Sequence, residues 1–263
     1  MDLGLSGKVA FVAAASKGLG RAIAEELAAE GADVAICARG ENALAETATA
    51  IRRATNREVL ALPGNVSDGD EVARLMREAL KHFGRIDILV TNAGGPPSAK
   101  FDSMTPEMWQ AAMDLTLMSV VNLTRAVLPG MKERSYGRII NVTSIAVKQP
   151  VDGLMLSNSM RSAVTGFART LANEVATMGI TVNNILPGYT RTKRLEDLSE
   201  ATATREGITR EAALARWESQ IPMGRLGEPR EFAALAAFLA SERASYITGQ
   251  SIAVDGGWIK GLL

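Results

Sequence analysis

The turn Ala14-Ala15-Ser16-Lys17-Gly18-Leu19-Gly20 follows an apolar run and opens a helical period. Gly18 and Gly20 let backbone come close to a pyrophosphate there, while the helix presents its first N–H groups. A glycine turn can also simply join a strand to a helix, so its meaning depends on the turns that accompany it. After the next apolar run the chain reads Cys37-Ala38-Arg39, a cation at the place where free ribose hydroxyls are held by a carboxylate. Arg39, with Lys17 in the neighbouring turn, suits a 2′-phosphate. Asn65-Val66 can bond and pack against an adenine, and Asn92-Ala93-Gly94-Gly95 is a polar, small turn suited to close approach. Ser144 is followed thirteen and seventeen residues later by Ser157 and Arg161. Hydroxyls donate and accept hydrogen bonds, whereas a guanidinium only donates and keeps its proton, so this set can hold an oxygen but relays protons poorly.

Short apolar runs alternate with longer helical periods almost from end to end, the rhythm of a parallel sheet covered by helices on both faces. Seven strands are expected at Val9 to Ala13, Asp33 to Ala38, Val59 to Leu62, Ile86 to Val90, Arg138 to Val142, Thr181 to Leu186 and Ser251 to Val254. Helices are expected at Gly18 to Glu30, Glu41 to Thr55, Asp68 to His82, Thr105 to Lys132, Ser157 to Met178 and Pro229 to Leu239, each crossover being right-handed. The charged, helix-prone segment Thr192 to Glu218 reads as an inserted helical lid. Ligands of such a sheet bind outside the carboxyl ends of its strands, which gathers the turns above on one edge. Tyr189, Lys148 and Asp152 share that edge, while Tyr136 and His82 precede strands and belong at the opposite end.

Composition narrows the field. With 263 residues, 47% of them apolar, one domain spanning 1–263 is expected. The 29 basic and 29 acidic residues cancel, leaving no net field toward nucleic acid or an anionic membrane. Cys37, the single cysteine, forms no intramolecular disulfide and reads as a small buried side chain. No His, Cys or carboxylate cluster has ligand spacing, so no metal is expected. Lys8 to Ala15 is too short to cross a bilayer, and a cytoplasmic protein is expected. Met104, Met108, Met113, Met118, Met155 and Met160 read as core filling, with the lining of an apolar pocket as the alternative. Lid charges Arg191, Lys193, Arg194, Arg205 and Arg210 interleave with Glu196, Asp197, Glu200, Glu206 and Glu211, which reads as a paired, solvated face rather than a docking patch for an acidic partner.

Taken with Ile139-Ile140-Asn141-Val142-Thr143-Ser144, Pro187-Gly188 and the C-terminal run Thr248 to Gly257, these turns resemble the short-chain dehydrogenase/reductase family along essentially the whole chain. The likeness is greatest to its 3-oxoacyl-acyl-carrier-protein reductases. It implies a single Rossmann-type, doubly wound α/β domain with a seven-stranded parallel sheet and a small helical lid. It also implies a small-molecule carbonyl or alcohol substrate, such as an acyl thioester, and NADP(H) rather than NAD(H). The cofactor positions it implies are Ser16, Lys17, Gly18, Leu19, Gly20, Arg39, Asn65, Val66, Asn92, Ala93, Gly94, Arg161, Pro187, Gly188, Thr190 and Thr192. A homotetramer packed through Thr105 to Lys132, Ser157 to Met178 and the C-terminal segment is implied too.

Three departures from the family pattern involve four positions. Ala14 stands for the first glycine of the loop, Thr116 for the asparagine of the catalytic tetrad, and Ser157 and Arg161 for its Tyr-x-x-x-Lys pair. Only Ser144 is retained. A phenol starts near ~10 and a neighbouring cation brings it toward working pH, whereas a serine alcohol is shorter and a far weaker acid. Two readings follow: a reductase with a non-standard proton route, or an NADP(H)-binding protein without turnover that serves as a sensor or structural partner.

Overall fold

Strands here are short and mostly apolar because helices cover both faces of the sheet, and the buried Arg138, Asn141, Asn183 and Asn184 are hydrogen-bonded exceptions. In the computed structural model, which describes residues 2–262, they are β1 (Val9–Val12), β2 (Asp33–Ala38), β3 (Val59–Pro63), β4 (Ile88–Thr91), β5 (Gly137–Val142), β6 (Ile180–Pro187) and β7 (Ser251–Val254). They form one parallel sheet in the order β3-β2-β1-β4-β5-β6-β7. The helices are α1 (Gly18–Ala29), α2 (Glu41–Thr55), α3 (Gly69–Phe83), α4 (Pro106–Met113), α5 (Ser119–Glu133), α6 (Met155–Val175), α7 (Lys193–Glu206), α8 (Arg210–Gln220) and α9 (Pro229–Ala240). The two-residue alternation of a strand sends Ala10 and Val12 into a core with α1, α2 and α9. Val9, Phe11 and Ala13 go to the other core, with α3, α5 and α6. The fold class expected from the sequence is the one observed, and β2, β7 and α2 have the expected bounds.

Elsewhere most bounds shift by one or two residues, and three elements differ from expectation in form. The helix expected over Thr105 to Lys132 is divided by a π turn at Asp114–Met118, where the Ser119 hydroxyl donates to the Leu115 carbonyl at 2.6 Å. Such turns carry an extra residue and gather at functional sites; this one holds Thr116 inside, 4% exposed. Second, α6 starts two residues early, at Met155, and residues 176–178 tighten into a 3-10 turn before Gly179, whose φ is +69°. Third, the lid is two helices. Gly207, at φ +66°, ends α7 in the left-handed region that glycine favours, and the Thr209 hydroxyl caps α8 by accepting from the Ala212 N–H at 3.1 Å.

The end of the sheet opposite the ligand edge is fastened by Asp87. This fully buried carboxylate accepts from the Val9 N–H at 3.0 Å and from Arg85 Nη2 at 2.6 Å, with Arg134 Nε 3.7 Å away. Tyr136 lies there as well, between Lys8 and Arg138, and burial pushes its phenol up to about 12. Both are remote from the turns that could bind a ligand.

Candidate active site

Strand order reverses between β1 and β4, so the crevice of this sheet opens between the turns that follow those two strands. Several helices take a side-chain cap, such as Asp68 for α3 and Thr105 for α4, but α1 has none. Its first N–H groups therefore point unspent into the Ala14–Gly20 turn, the arrangement that binds phosphate. A Cβ on Gly20 would lie 2.3 Å from the Ala14 carbonyl oxygen and 2.8 Å from Asn92 Nδ2, so only glycine lets the two turns meet. Gly18, at φ +60°, lies against Thr192. Ala14 itself has φ +50°, a strain of roughly 1 kcal/mol that glycine would escape. Ser16 is held in place through its carbonyl, which accepts from the Thr47 hydroxyl at 3.0 Å.

Lys17 and Arg39 are both exposed on the rim of this cradle, and neither is ion-paired among the described residues. Asn65 is half-buried with its Oδ1 engaged by Ser67 Oγ at 3.0 Å, which leaves the amide nitrogen for a ligand, and Val66 is 8% exposed beside it. At Gly188 a Cβ would meet Asp255 Cα at 2.7 Å. The Thr192 hydroxyl accepts from the Leu195 N–H at 3.4 Å as the cap of α7, which fixes it beside Gly18. Thr190 turns inward instead: it is 6% exposed and its hydroxyl donates to the Gly188 carbonyl at 3.2 Å.

Ser144 comes from the turn after β5, Thr116 from the π turn, and Ser157 and Arg161 from α6. Arg161 is 9% exposed. Its Nη1 donates to the carbonyls of Val142 at 3.0 Å and Thr143 at 2.8 Å, and its Nε donates to Ser157 Oγ at 3.2 Å. Nη2 has no protein partner among the described residues. Burial first, and the nearby Arg194 cation second, bring this guanidinium down to about 10, still charged at neutral pH. Ser157 uses its oxygen to receive Arg161, so its own O–H remains free to donate. The same holds for Ser144, whose Oγ accepts from the Ala146 N–H at 3.1 Å. A small cavity lined by Asn92, Ala93, Thr116, Thr143 and Arg161 adjoins this group. The hydroxyls of Thr116 and Thr143 are both buried there without a hydrogen-bond partner, as expected of a site for water or ligand.

Other residues expected at this edge fall outside the cluster. Tyr189 stacks on Trp217 at 5.1 Å and meets Trp258 edge-on at 5.8 Å, and burial raises its phenol, so it packs the lid. Lys148 and Asp152 are exposed. Cys37 is fully buried and its thiol is pushed up to about 12 by burial, which makes it inert. The methionines do not fill the core: Met104, Met108, Met113, Met118 and Met160 are half-buried and Met155 is exposed, because they sit on outward parts of α4, the π turn and α6. Thr143 and Arg194 were not expected from the sequence, since nothing in residue type or spacing distinguishes them from ordinary strand-end and helix-surface residues.

A switch-point cradle with an open helix N-terminus, beside a buried cluster of hydroxyls and a guanidinium, defines a Rossmann-type nucleotide-binding protein. The chain belongs to the short-chain dehydrogenase/reductase family: the family model described as enoyl-(acyl carrier protein) reductase matches residues 13–259. It is 38% identical over 255 residues to the 3-oxoacyl-[acyl-carrier-protein] reductase FabG of Vibrio cholerae, covering 97% of this chain and 98% of that one. Its structure is similar to L-sorbose reductase from Gluconobacter frateurii complexed with NADPH and L-sorbose, with a TM-score of 0.95, 35% identity and 100% of both chains covered. It is also similar to an actinorhodin polyketide ketoreductase with NADPH, with a TM-score of 0.93, 32% identity, and 99% and 100% covered.

Proposed function

We propose that this chain is an NADP(H)-dependent reductase that interconverts a small-molecule carbonyl compound and its alcohol, similar to the 3-oxoacyl-acyl-carrier-protein reductases. The observation that carries this reading is the glycine cradle under the uncapped N-terminus of α1, with the cations Lys17 and Arg39 on its rim. Bound NADPH supplies the hydride. The cradle and Ser16, Leu19, Gly94, Pro187, Gly188 and Thr192 hold its diphosphate and nicotinamide half, and Asn65, Val66, Asn92 and Ala93 its adenosine half and ribose. Of the Arg161 nitrogens only Nη2, with its two N–H groups, would be left for the nicotinamide ribose and the substrate, because the others hold Ser157 and the carbonyls of Val142 and Thr143.

Ser144 and Ser157 then donate O–H groups to the substrate oxygen. Arg161 keeps the Ser157 oxygen occupied, so the Ser157 proton faces away from it, and the guanidinium charge stabilises negative charge developing on the substrate. Neither serine is acidic enough to give its proton away outright, so the proton on the product comes from water. The cavity under Thr116 and Thr143 is the place for that water. The reductase names of the relatives favour turnover over a silent sensor or structural partner. A cytoplasmic location and a homotetramer packed through α4, α5, α6 and the C-terminal segment belong to the same reading.

Lys17→Ala and Arg39→Ala are each expected to raise the Kd of NADPH roughly tenfold, the loss of one charge-assisted bond, while NADH binding stays unchanged. Fluorescence titration of both nucleotides checks this. Equal weakening of NADH would show that the two cations do not read the 2′-phosphate. Oxidation of NADPH in the presence of ketones, quinones and 3-oxoacyl thioesters tests the activity itself, and binding without oxidation on all of them would defeat it.

A further inference from the structure

Most lid cations are spent on neighbouring carboxylates. Lys193 pairs with Glu196 and Asp197, Arg191 with Glu218 and Glu228, and Arg205 and Arg216 with Glu206. Arg194 and Arg210 have no ion pair among the described residues, and of these two only Arg194 bonds a residue outside the lid. Its Nη2 donates to the Pro96 carbonyl at 3.3 Å, and a Cβ on Gly95 would stand only 2.9 Å from the same nitrogen. Gly95 and Pro96 continue the Asn92-Ala93 turn that lines the Arg161 cavity. Arg194 is near enough to act on the Arg161 guanidinium as a like charge.

A nearly buried cation, Arg161, and an exposed one, Arg194, thus flank the turn from Asn92 to Pro96, and neither is paired with a carboxylate among the described residues. Arg161 is nearly fully buried, and a buried charge is costly unless an opposite charge meets it. Its present partners, two carbonyls and one hydroxyl, satisfy N–H groups without cancelling charge. Ribose hydroxyls would do no more. The diphosphate belongs at the α1 N-terminus beside Gly18 and Thr192, whereas Arg194 turns toward Gly95 and Pro96. Resting on the reductase reading above, we infer that the carbonyl substrate carries an anionic group, a carboxylate in its simplest form, held between Arg161 and the lid residue Arg194. This differs from a carrier-linked or neutral ketone, which offers no opposite charge to the buried Arg161.

Pyruvate, acetoacetate and levulinate, each beside its methyl ester, lengthen the spacing from carbonyl to carboxylate by one carbon at a time. Calorimetric titration of the NADPH-loaded and the free protein is expected to show at least one acid bound about tenfold tighter than its ester, with kcat/KM following the same preference. Arg194→Gln should abolish that preference and Arg194→Glu should reverse it. Acids and esters that bind alike, or fail to bind at all, would overturn the inference, as would a preference that survives Arg194→Glu. NADPH binding is followed separately by fluorescence. If NADPH does not bind, the reductase reading falls while the acid and ester comparison on the free protein still decides the clamp. If Arg194→Gln weakens NADPH and leaves the acid preference intact, Arg194 serves the diphosphate and the clamp is wrong.

Discussion

Ser157→Tyr combined with Arg161→Lys is expected to raise kcat for carbonyl reduction by about 100-fold, the lower end of what a positioned general acid supplies. The reason lies in the present arrangement of α6. Ser157 receives a hydrogen bond from Arg161 and has a free O–H, but an alcohol cannot deliver that proton at neutral pH as a phenol beside a cation can. The double change matters. Tyrosine alone would face a guanidinium still fastened to the carbonyls of Val142 and Thr143, whereas a lysine ammonium at 161 can bond ribose and lower the phenol together. Steady-state rates with NADPH, on a variant whose circular dichroism and gel filtration match the parent, give the answer. An unchanged rate in the folded double variant would mean that 157 and 161 are not the positions of the acid and its partner.

Removal of the Asp87 carboxylate carries the largest expected effect on stability. Asp87→Ala leaves the Val9 N–H without its acceptor and Arg85 without its nearest carboxylate at the foot of the sheet. Because Arg85 is 40% and Arg134 27% exposed, water recovers part of the loss. The cost is expected at about 3 kcal/mol, or a Tm lower by roughly 8 °C. Asp87→Asn should cost less, since the amide oxygen can still accept from Val9. NADPH affinity should not change in either variant, because Asp87 precedes β4 while the cradle lies beyond its other end. Thermal unfolding and nucleotide titration on the same samples check both halves of the expectation.

The architecture was legible because each strand is a short apolar run and each helix an amphipathic period, and local pattern and global fold agree along nearly the whole chain. The bounds of β2, β7 and α2 follow directly from residues such as Arg39, Gly40 and Asn56 that end or cap them. The π turn was not legible, for it depends on Ser119 back-bonding to Leu115 and on the packing that keeps Thr116 inside. At the site, residue types were readable and directions were not. That Arg161 would be present followed from the sequence. That it would spend Nε and Nη1 on its own protein, leaving only Nη2, depends on where β5 ends relative to α6. Arg194 looked like one of several lid charges until the seating of α7 turned it toward Pro96. Thr143 had no signal at all; it gains meaning only as the second unpartnered hydroxyl in the cavity of Thr116.

Hydride transfer without a phenol is the central claim, and isotope transfer tests it most directly. NADPH deuterated at the transferable position of its nicotinamide, incubated with the unaltered protein and the carbonyl compound it reduces fastest, should give an alcohol carrying deuterium on the former carbonyl carbon. The hydroxyl proton should exchange with solvent. NADPH that binds while no carbonyl in the panel yields deuterated alcohol would contradict the account and leave a nucleotide-binding protein in place of an enzyme.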